Sequence, residues 1–346
     1  MGLVVEGYKR LIYDEVPEFL KPFLELKEIK RLKKISYFCG MDYGPSDVYN
    51  FLDYYFRYDH SLNCAMLYYK LTNDRKGTVA CLFHDISTPV FSHVVDIMAG
   101  DNIKQEYTES FNSYYISKID GIHDLLYECG MKFSDISDLK KYPVGDNDRP
   151  RLCVDRLDAV MVNNLLWSKA SSLPITKMFL DNLCIVKNED GCDEIGFKDE
   201  NIAKIFFKFS LIDAGKSSEM SDIFSMNLMA DILKKGIEFN IFTKEDLFKF
   251  DEEEFVYILS NSLLGDFYND FKNMNKSDIY YSLNYNDDFY NYSLKTKKRY
   301  VDPLVIVGGS VNRLTNVCDE CKSLKDDFVN KKTVGYVTNK RIRKID

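Results

Sequence analysis

Nowhere in the 346 residues does an apolar run approach the about 18 needed to cross a bilayer. The first ten residues also show none of the basic-then-apolar layout of a signal peptide. A soluble, cytoplasmic protein without a membrane partner is the expectation. A basic surplus is missing as well. The net charge is -8, whereas sequence-independent binding of a nucleic-acid polymer draws on Lys and Arg to release counterions, so no such polymer is expected as a partner. Two local basic runs, Lys30, Arg31, Lys33, Lys34 and Lys295, Lys297, Lys298, Arg299, leave room for a phosphate patch. Nine cysteines, an odd number without a spacing framework, fit reduced thiols better than disulfides. Tryptophan occurs once against 24 Tyr and 24 Phe, so one-ring aromatics must fill cores or interfaces, and a homodimer is compatible with that composition. Histidine is scarce too, at four residues.

What is present is a 45% hydrophobic chain, enough to bury a full core. Apolar residues recur at helical spacing from Leu20 to about Leu71, with a break at Gly40 to Pro45, and then over Val79 to Asp85. Further helical patterns cover Thr108 to Cys129, Arg151 to Ser168, Glu200 to Asp213, Met220 to Gly236 and Thr243 to Ser262. Thr243 and Asp246 form a variant capping box at the start of the last of these. The mixtures of Pro, Gly, Asp, Asn and Tyr at Ser134 to Pro150 and Asn273 to Asn291 predict loops. Leu183 to Val186 with Glu194 to Phe197 reads as a β-hairpin, and Val301 to Val307 with Val311 to Leu314 as another.

Three of the four histidines, His60, His84 and His93, fall within a 34-residue stretch. A lone histidine is ordinarily a packing residue, but three together call for another explanation. His84-Asp85 ends the apolar run Val79-Ala80-Cys81-Leu82-Phe83, so a buried helix would deliver the pair at its last turn before Pro89 bends the chain away. Imidazole with carboxylate suits Fe, Mn, Zn or Mg, depending on how many oxygens complete the shell. His60 opens the apolar helix Leu62 to Leu71 and follows Arg57 and Asp59. His123-Asp124 is a second His-Asp pair with a polar approach and no companion histidine, and it is expected at the surface.

The order His60, His84-Asp85 and then a distant Asp155 in Asp155-Arg156-Leu157-Asp158 resembles the HD-superfamily phosphohydrolases. The resemblance extends through Arg31-Leu32-Lys33-Lys34-Ile35 with Gly40, Arg57-Tyr58-Asp59-His60-Ser61-Leu62, and His84-Asp85-Ile86-Ser87-Thr88-Pro89-Val90-Phe91-Ser92-His93, and more weakly through Asp302-Pro303-Leu304-Val305. These segments are similar to the deoxynucleoside-triphosphate triphosphohydrolase branch. It implies one divalent metal, Mn, Fe, Mg, Ni or Zn, held by His60, His84, Asp85 and Asp155. Asp85 and His93 would be catalytic, with His93 touching phosphate or moving a proton. Arg57 and Arg156 would clamp phosphate, since guanidinium forks suit it, with Tyr37 and Thr88 also lining the substrate. Relative to that branch, Thr88 and Thr108 stand in place of histidines, Tyr37 in place of a Gln and Ala159 in place of a Tyr, so the substrate site is altered while the metal shell is intact.

The implied fold is all-α, an HD helical core over residues 1–175, then a helical extension with a small hairpin over 176–290 and a short α/β tail over 291–346. The implied activity is metal-dependent hydrolysis of a phosphoester, on a nucleotide or deoxynucleotide, by an activated water. The alternative is a nucleotide-binding regulatory protein of the same fold with little turnover. Asp158 is expected to brace its helix or pair with Arg57 or Arg156, and Glu106 and Glu109 are candidates to orient water. Cys318 and Cys321 have no second pair at zinc spacing, Cys81 and Cys153 sit in apolar runs, and Gly215-Lys216-Ser217 lacks the first glycine of a phosphate loop.

Overall fold

A computed structural model describes residues 2–103, 105 and 107–344. Helices dominate, and the strands form two small sheets. The chain starts with α1 (Leu3–Ile12), whose Val5, Tyr8 and Ile12 recur on one face and are buried. The central helix is α2 (Arg57–Thr72), which buries residues on every side, including Arg57, Asp59 and His60 in its first turn. Asn73 ends it in the left-handed region at φ 55°, a conformation Asn tolerates better than most residues. Asp74 then accepts from the backbone N–H groups of Lys76 and Gly77 and starts α3 (Arg75–Phe83). The run Val79 to Phe83 is wholly buried, as its apolar pattern predicts.

Beyond α3 lie α4 (His93–Met98), α5 (Val154–Val162), α6 (Leu173–Asn182), α7 (Glu200–Lys216), α8 (Met220–Glu238) and α9 (Glu252–Ser260). The region from Thr108 to Cys129 is not one helix: a 3-10 turn, Asn112–Ser117 and Ile122–Glu128 succeed one another, with Gly121 at φ 70° breaking the run. Thr243 and Asp246 do bond reciprocally, but they close only a 3-10 turn at Asp246–Phe248; the helix itself is capped by Asp251. The predicted loop before Pro150 contains the short turns Phe133–Ile136 and Leu139–Lys141.

The two expected hairpins form, as β1 (Leu183–Lys187) with β2 (Asp193–Phe197), and, near the C-terminus, Leu304–Val307 with Ser310–Arg313. They join into one sheet because Gly196 and Phe197 pair in parallel with Leu304 and Val305. A second sheet was not foreseen. Strands β3 (Ile279–Ser282) and β4 (Phe289–Ser293), inside the segment read as a loop, flank the strand Tyr336–Arg343. Their turn-forming composition masks strands that exist only because a distant strand pairs with both.

Buried apolar side chains gather in two clusters. One surrounds α1, α2, α3, α5 and α7; the other joins α4, α8, α9 and the second sheet. Phe91, immediately before α4, belongs to the second cluster and is fully buried, a burial contributing about 1.5–3 kcal/mol. Its ring lies over Gly40, which sits at φ 70°, and a Cβ there would come 1.8 Å from the ring. Gly40→Ala should therefore lower stability by about 2–4 kcal/mol, combining a left-handed backbone with overpacking. Urea unfolding checks this: a loss under 1 kcal/mol would mean that the ring is free to move aside.

Candidate metal centre

His60 lies in the first turn of α2 and is 1% exposed. Its Nδ1 is 2.7 Å from the Asp158 Oδ2, a carboxylate that is itself fully buried on α5. An ionised carboxylate only accepts, so Nδ1 carries the proton and Nε2 presents its lone pair. His84 caps the C-terminal end of α3, where carbonyls have no partner within the helix. Its Nδ1 sits 2.6 Å from the Cys81 carbonyl, so that nitrogen must donate, and Nε2 is again the free lone pair.

These two Nε2 atoms face each other at 3.3 Å. Asp155 Oδ1 is 3.1 Å from the His60 Nε2 and 4.0 Å from that of His84. Asp85 Oδ2 is 4.0 Å and 3.7 Å from the same atoms. Two lone pairs and two anions converging around the buried His60, with His84, Asp85 and Asp155 only half-buried, favour a cation among them. With no metal, a proton fills that role. Burial opposes a charge on His60, but the Asp155 and Asp158 carboxylates outweigh it and raise its pKa to about 10. Burial likewise opposes ionisation of Asp155 and Asp85. The histidines, with Arg57 beside Asp85 and Arg156 beside Asp155, win and hold both carboxyls well below the usual range. The donor set of two imidazoles and two carboxylates fits one divalent ion of the Mn, Fe or Zn kind, for which metal and proton compete.

Of the two roles expected of Asp158, pairing with Arg57 or Arg156 does not occur; it orients His60. Tyr8 donates to its Oδ1 at 2.6 Å and Tyr55 to its Oδ2 at 2.8 Å, while Asn63 donates to the Tyr55 hydroxyl. Such a carboxylate behind a histidine fixes its tautomer and raises its basicity. The Asp155-x-x-Asp158 spacing, one helical turn, carried the signal. Nothing in the sequence pointed to Tyr8 or Tyr55.

Beside the four residues is a cleft lined by Arg57, His84, Asp85, Ser87, Thr88, Ser92, His93, Thr108 and Glu109. His93 bonds through Nδ1 to Asp96 Oδ2 at 2.8 Å, which leaves Nε2 for the cleft. Burial, together with Arg57 and Arg299, outweighs Asp96 and lowers its pKa, favouring the neutral imidazole. Asp96 also accepts from the Thr108 backbone N–H, so Thr108 and His93 share one anchor. Arg57 spends NH1 on Asp85 at 2.9 Å and Nε on Ser92; its NH2 has only a long 3.5 Å contact with the Tyr37 carbonyl. That NH2 is the part able to meet an anion. The Tyr37 ring lies 4.9 Å from the His60 ring and under the Arg57 guanidinium.

The structure does not bring Arg156 to the cleft. Its donors go to the Arg151 carbonyl, Asp146 and both oxygens of Asn147, so the fork expected for phosphate holds the 146–151 loop instead. Glu109 sits on the rim; Glu106 lies outside the described residues. His123 is exposed and packs on Phe133, and no contact links it to the cluster. Cys64, one turn after His60, went unnoticed in the sequence. Its sulfur is 3.8 Å from both ring nitrogens of His60 and its ligand atom groups with those of His60 and His84. Burial and the nearby Asp158 raise the Cys64 pKa strongly, and the thiol lies against the Val154 carbonyl, so it packs as a neutral neighbour. Asp146 and Cys153 group with Asp155 in the same way, but Asp146 is already paired with Arg156. Cys318 accepts from the Cys321 backbone N–H and caps a helix, and Gly215-Lys216 closes α7. All nine cysteines are free. Among the described residues no helix is long and apolar enough to cross a membrane.

No family model matches the chain. It is 26% identical over 235 residues to the uncharacterized protein YdhJ of Bacillus subtilis, covering 68% of this chain and 69% of that protein. It is 25% identical over 150 residues to the metal-dependent phosphohydrolase cns2 of Cordyceps militaris, covering 43% of this chain and 41% of that protein. Among solved structures, a phosphohydrolase from Bacteroides thetaiotaomicron superimposes with a TM-score of 0.62 at 12% identity, over 94% of this chain and 97% of that one. A hypothetical protein from Aquifex aeolicus does so with a TM-score of 0.58 at 11% identity, over 94% and 93%. The two structural likenesses show a shared fold across nearly the whole chain.

His84→Ala should abolish metal retention on elemental analysis, whereas His123→Ala should leave metal content and turnover within error. Full retention by the first variant, or a large loss in the second, would identify the wrong histidine pair. Asp158→Asn should weaken metal affinity about 10- to 100-fold, as removal of such supporting carboxylates does. Titration calorimetry with Zn or Mn measures it, and an unchanged affinity would show that the His60 tautomer needs no support.

Proposed function

We propose that this chain is an HD-superfamily metal-dependent phosphohydrolase that cleaves a phosphoester of a nucleotide or deoxynucleotide. The observation that carries the reading is that one oxygen of each of Asp85 and Asp155 lies within 4.0 Å of both imidazole Nε2 atoms, each histidine having its other nitrogen committed elsewhere. His60, His84, Asp85 and Asp155 would hold the ion. A divalent ion held there supplies Lewis acidity toward a phosphate oxygen and acidifies water. The names of the Cordyceps protein and of the Bacteroides structure support a phosphohydrolase, and that of the Cordyceps protein a metal-dependent one.

The chain's own residues divide the remaining work. Arg57 meets the phosphate with NH2 and fixes Asp85 with NH1. His93, neutral and anchored by Asp96, accepts a proton at Nε2 from the attacking water or returns one to the leaving oxygen. Thr88 offers its hydroxyl to a phosphate oxygen from the cleft wall, whereas the Ser87 and Ser92 hydroxyls are committed to the Thr108 and Ser36 carbonyls. A second reading, nucleotide binding with little turnover, draws on Thr88 and Thr108, because hydroxyls cannot exchange protons near neutral pH as imidazoles do.

A phosphate-release assay over nucleotides, with Mn, Fe, Mg, Ni or Zn, tests both. Removal of single phosphates supports the first reading; stoichiometric nucleotide binding without release supports the second. With threonines at 88 and 108, release of intact tripolyphosphate from a deoxynucleoside triphosphate should stay below about 1 s⁻¹, under the ordinary enzyme range. A faster rate would show that the threonines are no handicap.

A further inference from the structure

Glu252 opens α9, far along the chain from every residue of the cleft, and is 1% exposed. Its Oε1 accepts from the Phe91 backbone N–H at 2.9 Å and its Oε2 from the Ser36 backbone N–H at 3.0 Å. Both donors adjoin the cleft: Phe91 leads into the lining residues Ser92 and His93, and Ser36 precedes Tyr37, whose ring lies under the Arg57 guanidinium. Phe91 and Ser92 have φ 59° and 47°, a sparsely populated region for residues with side chains. Such a turn persists only where its surroundings hold it. Here Val90 donates to the Leu247 carbonyl, Arg31 bridges the Thr88 and Phe250 carbonyls, and Phe255 of α9 packs edge-on against Phe91. The turn in turn sets Ser92 Oγ between the Ser36 carbonyl and the Arg57 Nε.

We infer that Glu252 is a positioning residue that ties the two walls of the cleft together and so aims His93 and Arg57 at the substrate. One carboxylate reaches both walls because each of its oxygens takes a different backbone N–H, which neither an amide nor a shorter acid can do. The inference rests on the cleft being a phosphohydrolase site.

The test uses Glu252→Gln, which leaves one acceptor oxygen, and Glu252→Asp, which keeps the carboxyl group but withdraws it by one methylene. Each is made in the full chain and loaded with zinc. Both should keep metal content and a cooperative melting transition, lowered by the buried N–H left unpaired, while kcat falls about 10- to 100-fold with KM little changed, as expected of a misplacement near 1 Å. In the Glu252→Gln/His93→Ala double variant, the losses should not multiply, since both substitutions act through the same imidazole. With only four histidines, NMR adds a readout independent of turnover: the His93 ring resonance should move in Glu252→Gln and that of His123 should not. The inference is overturned by an unmoved His93 resonance, by losses that multiply, by a kcat within twofold of wild type, or by failure of both variants to fold. If the wild-type chain hydrolyses no phosphoester, the phosphohydrolase reading fails, while the His93 resonance still decides whether Glu252 positions it.

Discussion

Lone pairs and anions crowded together repel one another, and the cluster of His60, His84, Asp85 and Asp155 is stabilised by a positive charge among them. Much of the nearby structure follows from that demand. Each imidazole must keep its proton on the far nitrogen, so a buried carboxylate backs His60 and a helix-end carbonyl backs His84. Asp158 in turn must be satisfied, and two tyrosines from elsewhere in the chain donate to it. The electrostatic requirement at the centre thus propagates outward as a chain of hydrogen bonds, each of which costs stability if left unmade.

The second requirement is placement. His60 and Asp155 stand on helices of the first apolar cluster and His84-Asp85 at the end of a third, whereas the turn before His93 packs into the second cluster. The cleft lies where the two meet, so its shape depends on how they are joined. Polar side chains help to join them: Arg31 donates to the Thr88 and Phe250 carbonyls, and Glu252 accepts from the Phe91 and Ser36 backbone N–H groups. Backbone strain at Phe91 and Ser92 is concentrated where the geometry of the cleft is set.

Arg57 and Arg156 show how the same side chain acquires different work from its position. Both are buried guanidinium groups, Arg57 within one helical turn of His60 and Arg156 next to Asp155. Arg57 lines the cleft and keeps one nitrogen nearly free, while Arg156 points the other way and exhausts its fork on the 146–151 loop. The charge is the same; the rotation about the helix axis decides.

The sequence carried the helical nature of the chain, both hairpins and the grouping of His60, His84 and Asp85, because periodicity, turn chemistry and the rarity of histidine are local properties. It carried Asp155 only through resemblance, and Asp158 only as a brace. It hid the sheet built from Ile279–Ser282, Phe289–Ser293 and Tyr336–Arg343, whose strands are stabilised by pairing across more than forty residues and not by their own composition. It hid the fate of Arg156 and the roles of Tyr8, Tyr55 and Glu252. Those depend on which groups meet after the helices pack, with sequence separations of 150 for Tyr8 with Asp158 and 161 for Phe91 with Glu252. Local order sets which residues share an element and a face. Packing alone sets which buried donor finds which buried acceptor, since that pairing is fixed by the desolvation cost of leaving either one alone.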